Sequence, residues 1–315
     1  MVFAAIFPGQ GSQSVGMMQE LYQSSSTIQN IYEQASSLLG YDLWKLTSSD
    51  DKNELSSTIH TQPAMLVAGI ASWNHYIENF DIKPTYMAGH SLGEYSALVC
   101  SGAIDFSDAI SLVKTRAELM QNAVPDGEGA MAAIIGLEDK KVIELCDQHK
   151  GNYVVDAVNF NAPGQVVIAG EKKGIDKIIE NAKDFGAKRA LLLNVSVPSH
   201  CSLMDSVASE LKEKLNSIKI NETKIPVINN LEASVYKSTL HILDGLSNQV
   251  RKPVKWTQTI QYLIKQNINI HIEFGPGGVL TGLNKRIDRS LQSIKYDSPD
   301  SMKLINQTFF EKETL

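Results

Sequence analysis

Gly89-His90-Ser91-Leu92-Gly93 matches G-x-S-x-G, a pattern with chemical meaning when it joins a strand to a helix. Here it stands between the short apolar run Tyr86 to Gly89 and the helically spaced Leu92 to Val99. The glycines permit a sharp turn that lifts the Ser91 hydroxyl clear of a sheet, and the helix N-terminus with the Leu92 N–H can stabilise an oxyanion. An ordinary Gly-rich turn is the alternative; the strand-to-helix context favours a nucleophile. A serine hydroxyl needs a base, most often histidine, and seven histidines compete. His60, His75, His149 and His241 lie in polar or charged helical surroundings that read as surface. His271 alternates with apolar residues in a strand expected to be buried, and His90, adjacent to the serine, is expected to point elsewhere. His200, in Val197-Pro198-Ser199-His200, is left as either a base at a junction between domains or a solvated loop residue.

Two further Gly-rich loops follow strand-like runs. Pro8-Gly9-Gln10-Gly11-Ser12-Gln13 fails G-x-G-x-x-G because residue 14 is serine, and it lacks the Walker lysine, so a dinucleotide site is not expected. It can bring backbone N–H groups close to a ligand, which leaves Gln10 as an oxyanion donor or a structural turn. Phe274-Gly275-Pro276-Gly277-Gly278 has the same character and reads as structural.

The elements that must hold these residues alternate between short apolar runs and helical patterns, the signature of a parallel sheet flanked by helices. Val2 to Phe7 is the first strand, Met17 to Leu39 reads as helical, Pro63 is placed in the first turn of a helix running towards Phe80, and Ser107 with Asp108 is expected to cap the next helix. Between about Gly129 and Val197 the rhythm changes. Strand (Met131 to Leu137), helix (Asp139 to Lys150), strand (Tyr153 to Phe160), turn, strand (Gln165 to Ala169), helix (Ile175 to Phe185) and strand (Ala190 to Val197) give the order βαββαβ, a ferredoxin-like unit. Strand candidates resume at Pro226 to Ile228 and Ile270 to Phe274. The expectation is an α/β-hydrolase-like catalytic body, residues 1–127 and 198–315, interrupted by a ferredoxin-like subdomain at 128–197.

The composition bounds the partners. At 315 residues, with 43% hydrophobic and 20% charged residues, the chain exceeds one short domain and has ordinary globular usage. A net charge of -6 supplies no basic field for nucleic acid. No apolar stretch approaches the ~18 residues of a membrane helix, and the opening MVFAAIFPGQG lacks the charged start of a secretory signal. Cys100, Cys146 and Cys201 have no CxxC spacing and read as reduced thiols of a cytoplasmic protein with no zinc site.

Taken together, FPGQGSQ (Phe7 to Gln13), QPA (Gln62 to Ala64), GHSLGEY (Gly89 to Tyr95), Arg116 in KTRAELM, NFNAPGQVVIAG (Asn159 to Gly170), VPSH (Val197 to His200), QV (Gln249-Val250) and EFGPGGVL (Glu273 to Leu280) resemble the malonyl-CoA:acyl carrier protein transacylases of bacterial fatty-acid synthesis, and more distantly the acyltransferase domains of polyketide synthases. The resemblance covers nearly the whole chain. It implies Ser91 as the acylated nucleophile, His200 as its base, the Gln10 and Leu92 N–H groups as oxyanion hole, Arg116 as partner of the malonyl carboxylate, and Gln249 as the residue orienting His200 through its backbone carbonyl. Without it, Arg116 would read as a surface helix arginine. It further implies malonyl-CoA and acyl carrier protein as partners, a monomer, and no metal or redox cofactor. Lys188-Arg189 and Lys285-Arg286 are candidates for meeting an acidic carrier protein, or simply solvated charge. A serine hydrolase (thioesterase or esterase) and a non-catalytic carrier-protein-binding subunit are the competing readings.

Overall fold

The computed structural model describes residues 2–195 and 197–311. Four apolar residues open the chain as β1 (Ala4–Phe7), followed by α1 (Gln19–Ser24), α2 (Ser26–Leu39), α3 (Leu43–Ser48), α4 (Thr58–Asn79), β2 (Tyr86–Gly89), α5 (Gly93–Cys100) and α6 (Phe106–Asn122). A second set comprises β3 (Gly129–Ile135), α7 (Asp139–Asp147), β4 (Val155–Ala162), β5 (Gln165–Glu171), α8 (Lys172–Asn181) and β6 (Arg189–Leu192). The chain then runs through α9 (Asp205–Asn216), β7 (Val227–Ile228), α10 (Thr239–Gln249), α11 (Trp256–Lys265), β8 (Ile270–Phe274), α12 (Val279–Ile287), β9 (Gln292–Tyr296) and α13 (Pro299–Phe309).

The first and third sets share a parallel sheet ordered β7-β2-β1-β8-β9, with β1 paired to β2 from Ala4–Tyr86 to Phe7–Gly89. Helices cover both faces, which is why β1 is buried at every position. The large core on one face is built around α4, whose residues 61–73 are buried throughout. The second set forms its own antiparallel sheet, ordered β4-β5-β3-β6, with α7 and α8 packed against it over a separate core. The small sheet is tied to the segment before α11 where Val254 N–H donates to Val158 C=O (2.8 Å) and Phe160 N–H to Val254 C=O (3.0 Å).

Several sequence expectations shift. Met17 to Leu39 divides into α1 and α2 because Ser25 is extended and its side chain accepts from the Ile28 N–H as an N-cap. Pro63 is not in a first turn: α4 begins five residues earlier at Thr58, and the proline sits inside it. α6 starts at Phe106 after Asp105, so Ser107 and Asp108 occupy its first turn instead of capping it. β9 had no counterpart in the sequence reading. Its alternating burial, with exposed Gln292 and Lys295, marks an edge strand whose polar face hides its pairing with β8. Ser196, in the expected strand Ala190 to Val197, and residues 312–315 of the expected body lie outside the described residues; β6 itself ends at Leu192.

Where β2 turns into α5, a Cβ on Gly89 would lie 1.9 Å from the Gly93 carbonyl carbon, and one on Gly93 would lie 2.0 Å from the Phe7 carbonyl oxygen. The helix start is therefore seated directly on the end of β1, at a separation only glycine allows. Gly93→Ala should cost about 1–3 kcal/mol or more through this overlap, read as a lowered thermal midpoint. A midpoint equal to that of the parent protein would mean the contact is slack.

Candidate active site

Gln10, Ser91 and Asn230 all lie just past the carboxyl ends of the parallel strands β1, β2 and β7, where open α/β sheets place their sites. The tight turn leaves Ser91 left-handed, at φ 51°, a strained conformation for a residue with a side chain. Its two peptide groups are pinned: the N–H donates to Asn230 Oδ1 (2.7 Å), and the C=O accepts from Gln249 Nε2 (2.9 Å). The Ser91 hydroxyl reaches His200 Nε2 at 2.7 Å, and His200 Nδ1 reaches the Gln249 backbone carbonyl, also at 2.7 Å. With Nδ1–H donating to that carbonyl, Nε2 is the acceptor, the tautomer able to take a proton from serine.

His200 is carried by the segment that returns from the small sheet, and its own backbone is left-handed at φ 67°. Its N–H donates to Val250 C=O (2.8 Å), and the next residue, Cys201, packs into the apolar contact between the small sheet and the body. The imidazole is 2% exposed. Burial, with the nearby Arg116 charge, pushes its pKa down to about 3. The free ring is therefore neutral throughout the physiological range.

Arg116 is only 1% exposed, the reverse of the surface arginine its helix pattern alone implied. The guanidinium donates to Gln62 Oε1 through Nη1, and through Nη2 to Gln249 Oε1 (3.0 Å) and Ser91 Oγ (3.4 Å). Its carbon lies 5.3 Å from the Tyr95 ring centroid, within cation–π range. Among the described residues it forms no ion pair with a carboxylate. A cavity of about 270 Å³ opens over this group, bounded by Gln10, Leu92 and Met120 from the body and by Met131, Asn159 and Leu193 from the small sheet. The N–H groups of Gln10 and Leu92 have no acceptor among the described residues. Gly9 brings the first of them close, because a Cβ there would lie 2.4 Å from the His90 carbonyl oxygen.

The fold thus brings Ser91, His200, Arg116, Gln249, Gln10 and Leu92 into one place. It puts the exposed Lys188, Arg189, Lys285 and Arg286 elsewhere, with Arg286 bonded to Gln165. His90 turns to Asn161 Oδ1 of β4 (2.8 Å). His75, read as a surface residue, is buried against the Tyr296 hydroxyl (2.9 Å), because α4 runs through the core instead of over the surface. The Phe274–Gly278 loop packs on Pro8 and Ser12 and so supports the Gln10 loop. Sequence reasoning gave no role to Gln62, Glu94, Asn230 and Tyr236. Gln62 and Glu94 stood inside quoted motifs, whereas Asn230 and Tyr236 gave no local signal.

A family model described as an acyl transferase domain matches residues 4–298. The chain belongs to the acyl transferase family. Within it, the malonyl CoA-acyl carrier protein transacylase of Haemophilus influenzae is 47% identical over 306 residues, 97% of this chain and 98% of its own length. The Bacillus subtilis protein of the same name is 42% identical over 311 residues, 98% of each chain. An acyl carrier protein S-malonyltransferase from Vibrio cholerae has a similar structure, with a TM-score of 0.94 at 46% identity over 97% of this chain and 100% of that one. So has the malonyl-transacylase solved in complex with its type II PKS acyl-carrier protein, with a TM-score of 0.94 at 45% identity over 97% and 98%. Among the described residues of this acyl transferase, no helix is long and apolar enough to cross a membrane, and no cluster of three His, Cys, Asp or Glu side chains could hold a metal ion.

The neutral, Nδ1-protonated His200 is directly observable. Imidazole nitrogen resonances should report that tautomer from pH 8 down to about pH 5; protonation with a midpoint above 6 would contradict the buried, Arg116-facing ring.

Proposed function

We propose that Ser91 carries a malonyl group from malonyl-CoA to the phosphopantetheine thiol of acyl carrier protein, the activity named for the relatives, making the chain an acyltransferase of fatty-acid synthesis. The observation that carries this reading is a buried cation without an ion-paired carboxylate among the described residues, 3.4 Å from a serine that is hydrogen-bonded to a neutral histidine. A substrate with a free carboxylate one carbon beyond its thioester carbonyl completes such a site. Arginine binds carboxylates through a planar fork, and holding the charged end fixes the reacting carbonyl near the hydroxyl.

In the first half-reaction the Ser91 proton passes to His200 Nε2 as Oγ bonds to the thioester carbon. The oxyanion is received by the Gln10 and Leu92 N–H groups. Collapse breaks the C–S bond, and the proton on His200 leaves with CoA as thiol. In the second, the carrier thiol gives its proton to His200, its sulfur attacks the acyl-serine, and the proton returns to Ser91 as the ester breaks. The scheme is ping-pong. Gln249 orients the imidazole with its backbone carbonyl, in the place a triad gives to a carboxylate.

Strand order and the separate small core support reading residues 128–197 as a ferredoxin-like subdomain within an α/β-hydrolase-like body of 1–127 and 198–315. The backbone bonds at Val254 make it a fixed wall of the cavity. A cytoplasmic monomer completes the proposal, its solution mass to be checked by light scattering.

Brief exposure to malonyl-CoA should add one malonyl group to Ser91, seen by peptide mass spectrometry, and Ser91→Ala should abolish it. Label on another residue would overturn the assignment. Arg116→Ala should cost about 2–5 kcal/mol towards malonyl-CoA, more than about tenfold in kcat/KM, while acetyl-CoA, which has no free carboxylate, is spared or improved. Equal losses for both substrates in a folded variant would make Arg116 structural.

A further inference from the structure

Among the described residues Glu94 is the one buried acid beside the site, and the proposed reaction does not use it. It lies in the first turn of α5, 1% exposed. One carboxylate oxygen accepts from the Tyr236 hydroxyl (2.5 Å) and the Asn230 N–H (3.4 Å), and the other accepts from Gln249 Nε2 (2.6 Å). Burial pushes its carboxyl up to about 7, with these donors and the Arg116 charge pulling the other way.

The Gln249 amide has two faces. Its nitrogen meets two acceptors, Glu94 and the Ser91 C=O, and its oxygen meets the Arg116 guanidinium. A guanidinium has donors only and an ionised carboxylate has acceptors only, so one orientation of the amide satisfies every contact. The reversed amide sets NH2 against guanidinium and oxygen against carboxylate.

We infer that Glu94 is a positioning residue for substrate selection: by dictating the orientation of the Gln249 amide, it holds the Arg116 fork towards the cavity and free for the carboxylate of an acyl donor. This rests on the reading of Arg116 given above. Tyr236 belongs to the same device one bond further out, since its hydroxyl fixes the carboxylate that fixes the amide.

A glutamine at position 94 keeps the shape but brings an NH2 among converging donors, so the Gln249 amide loses one of the three contacts that hold it one way round and the Arg116 fork is held less firmly. In the folded protein, Glu94→Gln should lower kcat/KM for malonyl-CoA by at least about tenfold, mainly through KM, and change acetyl-CoA by less than about threefold. In an Arg116→Ala background the same substitution should change malonyl-CoA turnover by less than about twofold, because the contact it acts through is gone. Tyr236→Phe, which leaves the carboxylate in place, should give the same split at smaller amplitude, and it decides the matter if Glu94→Gln does not fold. Equal losses for the two substrates, additivity with Arg116→Ala, or no split in Tyr236→Phe would each overturn the inference. If Arg116→Ala itself fails to separate the substrates, the carboxylate-reading assignment falls and this inference with it. If Arg116→Ala separates them and the Glu94 and Tyr236 variants do not, only the role of Glu94 is lost.

Discussion

The start of α5 rests on the Phe7 carbonyl with no room for a side chain at Gly93, and the site is arranged around that contact. Seating the helix there forces the chain to reverse within Ser91-Leu92, which leaves a non-glycine residue left-handed and its hydroxyl raised over the strand ends. Such strain persists only when the surroundings over-determine it. Asn230 takes the Ser91 N–H, Gln249 takes its C=O, and Asn230 Nδ2 also holds the Gly89 carbonyl at 2.7 Å. Gln249, one of the two residues that grip the turn, also bonds Arg116 and His200.

Dryness is the second organising condition, and it disfavours the charged form of each ionisable group here. It keeps the imidazole neutral, with Nε2 able to accept a proton and a backbone carbonyl at Nδ1. It raises the Glu94 carboxyl, which stays useful because three donors converge on it. For Arg116 it means a cation whose two amino groups meet amide and hydroxyl oxygens while its buried Nε meets no acceptor among the described residues, an arrangement poor for stability and good for receiving an anion.

The small sheet matters to the chemistry through its position more than through its side chains. Met131, Asn159 and Leu193 close one side of the cavity, and the chain leaving β6 delivers His200. Cys201 packing among Met131, Val158 and Val167 anchors that segment. The backbone bonds between β4 and Val254 hold the small sheet against the segment that leads into α11.

Sequence alone determined what is encoded locally. The strand-turn-helix around Ser91, the β2 and β8 boundaries, and the βαββαβ order of the middle segment follow from periodicity and glycine placement over a few residues. Single-residue signals of that kind also misled where packing decided the outcome. His75 reads as surface, as Arg116 would without the resemblance, because their neighbours along the chain are polar, yet α4 and α6 turn those positions inward. β9 was missed because an edge strand carries polar residues on its open face. Apart from the family resemblance, only the tertiary structure joins Ser91 to His200, 109 residues apart, and to Gln249, 158 apart. It alone could show that Glu94, Asn230 and Tyr236 form one network. Hydrogen-bond partners distant in sequence leave no periodic trace, and a buried charge is recognisable only once the groups that exclude water from it are in place.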